Sequence, residues 1–212
     1  YVDHPSFGTA VISRVLEAEG LRVAVLAQPD WHDAEAFRAM GRPRLGVFIG
    51  AGNLDSMVAH YTAAKRRRSE DFYSPGKRTG CRSDRAAIVY CNRAREAFGP
   101  DVPIILGSLE ASLRRFAHYD YWDDSVRRAI LFDAPADLLV YGMGEAATIE
   151  IAHRLKKKQS VHTMTDIPGT GYITRDPSVC KFDHITLPSY EDVRDDKRLY
   201  AEATRTEYAE HD

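Results

Sequence analysis

Apolar residues fall along this chain in short blocks separated by polar, glycine-containing joints. Val23–Leu26, Leu45–Ile49, Val102–Leu106 and Leu138–Tyr141 are compact, mainly apolar runs with no strict alternation. Runs this short, bounded by turn residues, predict strands buried on both faces. Helical spacing alternates with them. Val11, Ile12, Val15 and Leu16 share one helical face, and Gly20 stands where a glycine cap belongs. A short helix is expected from Asp33 to Met40, and another from about Asp55 to Lys65 after the turn Gly50-Ala51-Gly52-Asn53. A third runs from Ser83 to the stop signal Gly99-Pro100, and a fourth is capped by Asp123-Asp124-Ser125. A last one leads from Gly142-Met143-Gly144-Glu145 to Lys156-Lys157-Lys158, whose charges suit a helix C-terminus.

Strands alternating with helices predict an α/β fold: a doubly wound, mainly parallel sheet with helices on both faces and right-handed crossovers. This domain is expected to occupy residues 1–158, with 66–82 as an exposed, charged and mobile insertion. After Gln159 the pattern changes. Gly171-Tyr172-Ile173 reads as an edge strand or hairpin, and Tyr190 to Tyr208 as a polar helix or helix pair. Residues 159–212 are read as an extension, a connector towards a further domain.

Composition narrows the function classes. The chain has 212 residues, 44% hydrophobic and 28% charged, with a formal net charge of −2. It is long enough to bury roughly 70% of its unfolded surface without disulfide or metal staples. No apolar run approaches the roughly 20 residues of a membrane span, so no membrane partner is expected. Cys81, Cys91 and Cys180 are an odd, scattered set, which suits reduced thiols in the cytoplasm rather than a disulfide framework.

In an open parallel sheet, ligands sit beyond the carboxyl ends of the strands. That edge should collect Asp3, His4 and Ser6; Gly50, Gly52, Asn53 and Ser56; Gly107, Glu110 and Ser112; and Gly142, Gly144 and Glu145. Its glycines allow close approach of a ligand or another backbone, and the helix starts offer N–H groups to an anion. One reading is therefore a binding module for a nucleotide-, phosphate- or cobalamin-like ligand. The segment 107–122 adds Arg114, Arg115, His118, Tyr119, Tyr121 and Trp122. The arginines could grip a carboxylate or phosphate, and His118 could act as acid or base. Alternatively the arginines form an ion-pair network with Glu110, Asp120, Asp123 and Asp124 that clamps the loop against a neighbouring domain. Either way the aromatic residues cover an interface or a pocket.

Other motifs are missing. There is no P-loop, no G-x-S-x-G and no H-E-x-x-H, which argues against a self-contained hydrolase or zinc protease. His60, His153, His162, His184 and His211 lack metal spacing and are read as surface or structural. Lys65-Arg66-Arg67-Arg68, with Lys77, Arg78 and Arg82, lies near Phe72 and Tyr73. Glu70 and Asp71 interrupt it, and it is read as a solvated loop with nucleic acid not expected as a partner. No catalytic residue and no metal ligand is assigned in this chain.

Longer stretches carry a resemblance. The run from Gly107 to Trp122, continued by Asp124, Val126-Arg127-Arg128, Ala136-Asp137 and Gly142-x-Gly144-Glu145, resembles the N-terminal domain of YgiQ-type radical SAM proteins. Tyr1 to Gly8, Ala27-Gln28-Pro29-Asp30-Trp31 and Ala51-Gly52-Asn53-x-Asp55-Ser56-Met57 match in the same order. The resemblance implies an accessory domain, Rossmann-like and similar to cobalamin-binding domains, that caps or shapes the active site of a downstream radical SAM barrel in the same polypeptide, acting on an unknown substrate. It also implies a truncated first strand. A 4Fe–4S cluster and S-adenosylmethionine would belong to the full-length parent, because no C-x3-C-x2-C spacing occurs here and no cofactor is assigned to this chain. Cobalamin is not expected: Asp3-His4-Pro5-Ser6-Phe7-Gly8 departs from the D-x-H-x-x-G pattern of base-displaced cobalamin domains.

Overall fold

The structure is a computed structural model that describes residues 7–52 and 54–210. Its centre is a four-stranded sheet of β1 (Val47–Ile49), β2 (Ile104–Leu106), β5 (Leu138–Val140) and β6 (Thr170–Gly171), in that spatial order. β1, β2 and β5 are parallel, with Val47 opposite Ile104 and Ile105 opposite Leu138. The two-residue β6 runs antiparallel along β5. β3 (His118–Asp120) and β4 (Ser125–Arg127) form a separate antiparallel hairpin.

The central strands are apolar throughout because both faces are covered. Ile104, Leu106, Leu139 and Ile49 point into one core with Ala86, Ala87, Tyr90, Cys91, Ala94 and Phe98 of α3 (Ala86–Phe98). Ile105, Leu138 and Val140 point into the other with Ala147, Ile151 and Leu155 of α5 (Glu145–Lys156). Alternate residues of one strand thus serve opposite cores, as the period of two requires. The mainly parallel α/β architecture expected from the hydrophobic runs is the one observed. α1 (Gly8–Ala18) packs on α5, where Glu19 reaches Nε2 of His153 at 2.7 Å.

Arg95 and Asp137 close the amino end of the strands. Asp137 accepts from the Ile104 N–H at 2.7 Å and from Arg95 at 2.9 Å, while Arg95 also donates to the carbonyls of Val102 and Pro135.

Several expected elements differ. Val23–Leu26 is not a strand: no described strand runs beside it to complete a ladder, and Val25 is exposed. The 33–40 helix shrinks to a 3-10 turn, Ala36–Arg38, and the 55–65 helix to α2 (Ser56–His60). Asp123-Asp124-Ser125 starts no helix. Asp120 instead accepts from the N–H groups of Trp122 and Asp123 at 2.9 and 3.2 Å, and Asp124 takes φ 52°, so the acids turn the hairpin. Asp and Ser serve turns as readily as helix caps. The 66–82 stretch is largely exposed, but Asp71, Ser74 and Arg82 anchor it in the interior. The expected polar helix pair is present as α6 (Tyr190–Asp195) and α7 (Lys197–Ala209).

Candidate functional site

The carboxyl ends of β1, β2 and β5 release three joints, at 50–55, 107 and 141–144. Asp3, His4, Ser6 and Asn53 lie outside the described residues. Of the others, Ser56 is brought to Glu110 of α4 (Ser108–Ser112), which is 1% exposed. One of its oxygens accepts from the Ser56 N–H at 2.8 Å and the other from the Ala87 N–H at 3.0 Å. A single carboxylate therefore satisfies the starts of both α2 and α3, where unpaired N–H groups and the helix dipoles favour negative charge. Ser56, fully buried, accepts from the Ala86 N–H at 3.0 Å and ties the two starts together. Asp55 adds a cap on the Met57 N–H at 2.9 Å and pairs with Arg114.

Two of the glycines answer to packing within the protein. A Cβ on Gly50 would stand 3.0 Å from Cβ of Ser108, whose hydroxyl accepts from the Ala51 N–H at 3.1 Å. A Cβ on Gly144 would stand 2.9 Å from Cγ1 of Val140. Gly107 donates its N–H to the Ile49 carbonyl at 2.8 Å, Gly52 and Gly142 have positive φ, and Glu145 opens α5. Ser112 donates to the Ser108 carbonyl at 2.9 Å. The geometry thus turns the N–H groups of α2 and α3, which could have met an anionic ligand, towards the protein's own carboxylates.

Arg114 donates to the Glu110 carbonyl at 3.2 Å, but the acids that pair with the two arginines are not the ones the sequence suggested. Arg114 pairs with Asp55, and Arg115 meets Glu207 of α7 at 2.8 Å while lying over the rings of Phe116 and Tyr141. Asp120 and Asp123 pair with Arg85 and Arg127 instead. Burial pushes the Asp120 carboxyl up, but the hydrogen bond from Arg85 and those from the backbone outweigh it and hold it below its usual range. Burial lowers the His118 imidazole below its ordinary value. Tyr119 donates its hydroxyl to Asp124 and its N–H to the Tyr200 hydroxyl at 2.9 Å. The Tyr190 ring lies beside Arg128 and Arg194, so α6 and α7 strap the hairpin.

Sequence reasoning missed a second buried group. His60, read as surface or structural, is 3% exposed and so structural, and its Nδ1 meets Asp84 at 2.7 Å. Burial raises Asp84, yet hydrogen bonds from Tyr61 and His60 bring its carboxyl below the usual range. Asp71 accepts from Ser74 at 2.6 Å and from the Tyr73 N–H at 3.0 Å, with Arg82 at 3.6 Å and His60 at 3.9 Å. Arg82 in turn donates to the Ala51 carbonyl at 3.1 Å. The signal available in sequence was a mixed-charge stretch ending at Asp84, which reads equally well as solvated.

Among the described residues, no group of three or more His, Cys, Asp or Glu side chains is placed to hold a metal ion. The three cysteines are free thiols, and burial pushes that of Cys91 up to about 12. These residues do not fit an iron–sulfur cluster, which needs deprotonated thiolates converging on one point. No helix among the described residues is long and apolar enough to cross a membrane.

A family model described as radical SAM N-terminal matches residues 1–212. UPF0313 proteins of Clostridium botulinum and Methanocella arvoryzae are each 55% identical over all 212 residues, and one of Clostridium perfringens is 52% identical. The chain spans only 33%, 35% and 32% of those relatives, about a third of their length. No solved structure matches. A family match over the full chain, supported by relatives at this identity, settles the kinship: the chain belongs to the radical SAM N-terminal family.

Proposed function

We propose that this domain docks onto a radical SAM barrel in the remainder of a longer polypeptide and helps shape its substrate site, with the 4Fe–4S cluster and S-adenosylmethionine held by that remainder. The observation that carries this reading is the character of the strand edge. At the starts of α2 and α3 the N–H groups are engaged by Glu110 and Asp55; those of α4 and α5 have no side-chain cap among the described residues, but Leu109, Leu113, Phe116 and Met143, beyond the ends of β2 and β5, are exposed there. Met143 is 89% exposed. Apolar side chains gathered at one edge suit a protein interface better than a small polar ligand. The length of the relatives leaves room for the partner domain in the same chain.

The test uses the full-length protein, purified anaerobically and reconstituted with iron and sulfide. Four irons per chain and an absorbance near about 400 nm that responds to S-adenosylmethionine are expected. Leu113→Glu with Met143→Glu should leave iron content unchanged and lower 5′-deoxyadenosine formation by about tenfold. No cluster would remove the radical SAM parent; a cluster with unaltered turnover in the double variant would remove the docking role.

A further inference from the structure

The turn at 61–68 meets the tip of the β3–β4 hairpin, bringing together features far apart in sequence. Tyr121 donates its hydroxyl to the Ala63 carbonyl at 2.5 Å. Lys65 donates to the Trp122 carbonyl at 3.2 Å and sits 4.9 Å from the centre of the Tyr121 ring. Trp122 lies against Tyr61 with ring centres 5.2 Å apart. The turn is built rather than loose. The Thr62 N–H donates to the Arg66 carbonyl at 2.9 Å, the Arg68 N–H to the His60 carbonyl at 2.8 Å, and Tyr61 bridges Arg67.

This ordered corner displays cations. Lys65, Arg66, Arg67 and Arg68 are exposed on the turn, and Lys77 and Arg78 are exposed in the segment that returns to it, where a Cβ on Gly80 would stand 3.8 Å from Nη2 of Arg67. Within residues 62–80 the carboxylates are Glu70, 3.8 Å from Lys77, and the buried Asp71. Phe72 is 68% exposed with the Lys77 ammonium 4.8 Å from its ring, and Tyr121 is 47% exposed.

We propose that this corner binds a single-stranded polynucleotide, with phosphates on Arg66, Arg67 and Arg78 and bases stacked on Phe72 and Tyr121. Clustered cations beside exposed aromatic rings are what such strands require, and here each ring already has a lysine ammonium on it. A duplex keeps its bases stacked inside and would leave the rings unused. Arginine and aromatic residues also suit protein interfaces, so an acidic protein segment is the competing occupant, and the polyglutamate competition below separates the two. The net charge of −2 makes the attraction local to this corner, so it cannot be read from composition. The proposal does not rest on the docking role of the strand edge.

Fluorescence anisotropy on the full-length protein tests it, with labelled oligo-rU and oligo-dT of roughly fifteen nucleotides and a mixed-sequence duplex as probes. Single strands should bind more tightly than duplex, with a log–log salt slope of about −2 for three phosphates. Tighter rU than dT would assign RNA; equal binding would assign recognition to phosphates and base faces alone. Arg66→Glu with Arg78→Glu should weaken binding by about tenfold or more and flatten the slope. Phe72→Ala should weaken it by about fivefold or more and leave the slope unchanged. These side chains are exposed, and near-ultraviolet circular dichroism checks that each variant is folded; Arg66→Gln with Arg78→Gln replaces the reversal if it is not. Absence of binding at low salt, equal affinity for duplex, a silent Phe72→Ala, or equal competition by polyglutamate would each overturn the proposal.

Discussion

Glu110 and Asp71 are both 1% exposed, yet their surroundings differ. Each oxygen of Glu110 accepts a backbone N–H at 2.8 or 3.0 Å, from the starts of two different helices. Asp71 has good hydrogen bonds only within its own segment, to Tyr73 and Ser74. The Arg82 guanidinium stands off at 3.6 Å and the His60 ring at 3.9 Å. Around it Nε2 of His60, Nε and Nη2 of Arg82, Oγ of Ser83 and the Tyr90 hydroxyl make no hydrogen bond among the described residues. A buried acid that is fully used fixes the frame of a fold. A buried acid among unmatched donors only fastens a segment, and it leaves free energy unclaimed.

The largest effect should come from breaking the satisfied side. Glu110→Gln puts an NH2 group against a backbone donor, and stability to chemical denaturation should fall by about 2–4 kcal/mol. A loss below about 1 kcal/mol would mean that α2 and α3 do not depend on this carboxylate. On the other side, Arg82→Met should lower stability by about 1–3 kcal/mol, because Asp71 is left without its nearest cation. Adding Asp71→Leu should recover most of that loss, and a double-mutant cycle measures the coupling. An additive double variant would show that the pair does not act as a pair. The smallest and most diagnostic change is Tyr90→Phe. Burial already pushes the Tyr90 hydroxyl up to about 12, and removing it should raise stability by a few tenths to about 1 kcal/mol. A loss of stability instead would show that the hydroxyl is satisfied in solution.

The sequence disclosed much of the frame and little of this contrast. Val102–Leu106 and Leu138–Tyr141 were legible as strands because burial on both faces leaves an unbroken apolar run. Gly99-Pro100 ended α3 as its stop signal required. Val23–Leu26 has the same composition but no described neighbour strand, and a ladder is not a local property. Glu110 was marked as a site residue, but its partners Ser56 and Ala87 lie 54 and 23 residues away, a closure that no spacing encodes. The fold of the 61–68 turn onto the hairpin was hidden for the same reason. Arg114 and Arg115 were legible as charges needing acids, and Asp55 and Glu207 became those acids only through tertiary packing.

The strap formed by α7 has a mechanical consequence. None of its side chains is buried in the core, so it holds to the domain through discrete ties, among them Tyr200 to the Tyr119 backbone and Glu207 to Arg115. A pull along its axis is therefore delivered to the hairpin through Tyr200 and, through Arg115, to the Tyr141 ring at the end of β5. The hairpin tip is itself fastened to the 61–68 turn through Tyr121 and Lys65. Helix, hairpin and turn form one path of contacts along the flank of the domain, so tension on the helix is shared between the arginine-bearing corner and the end of β5.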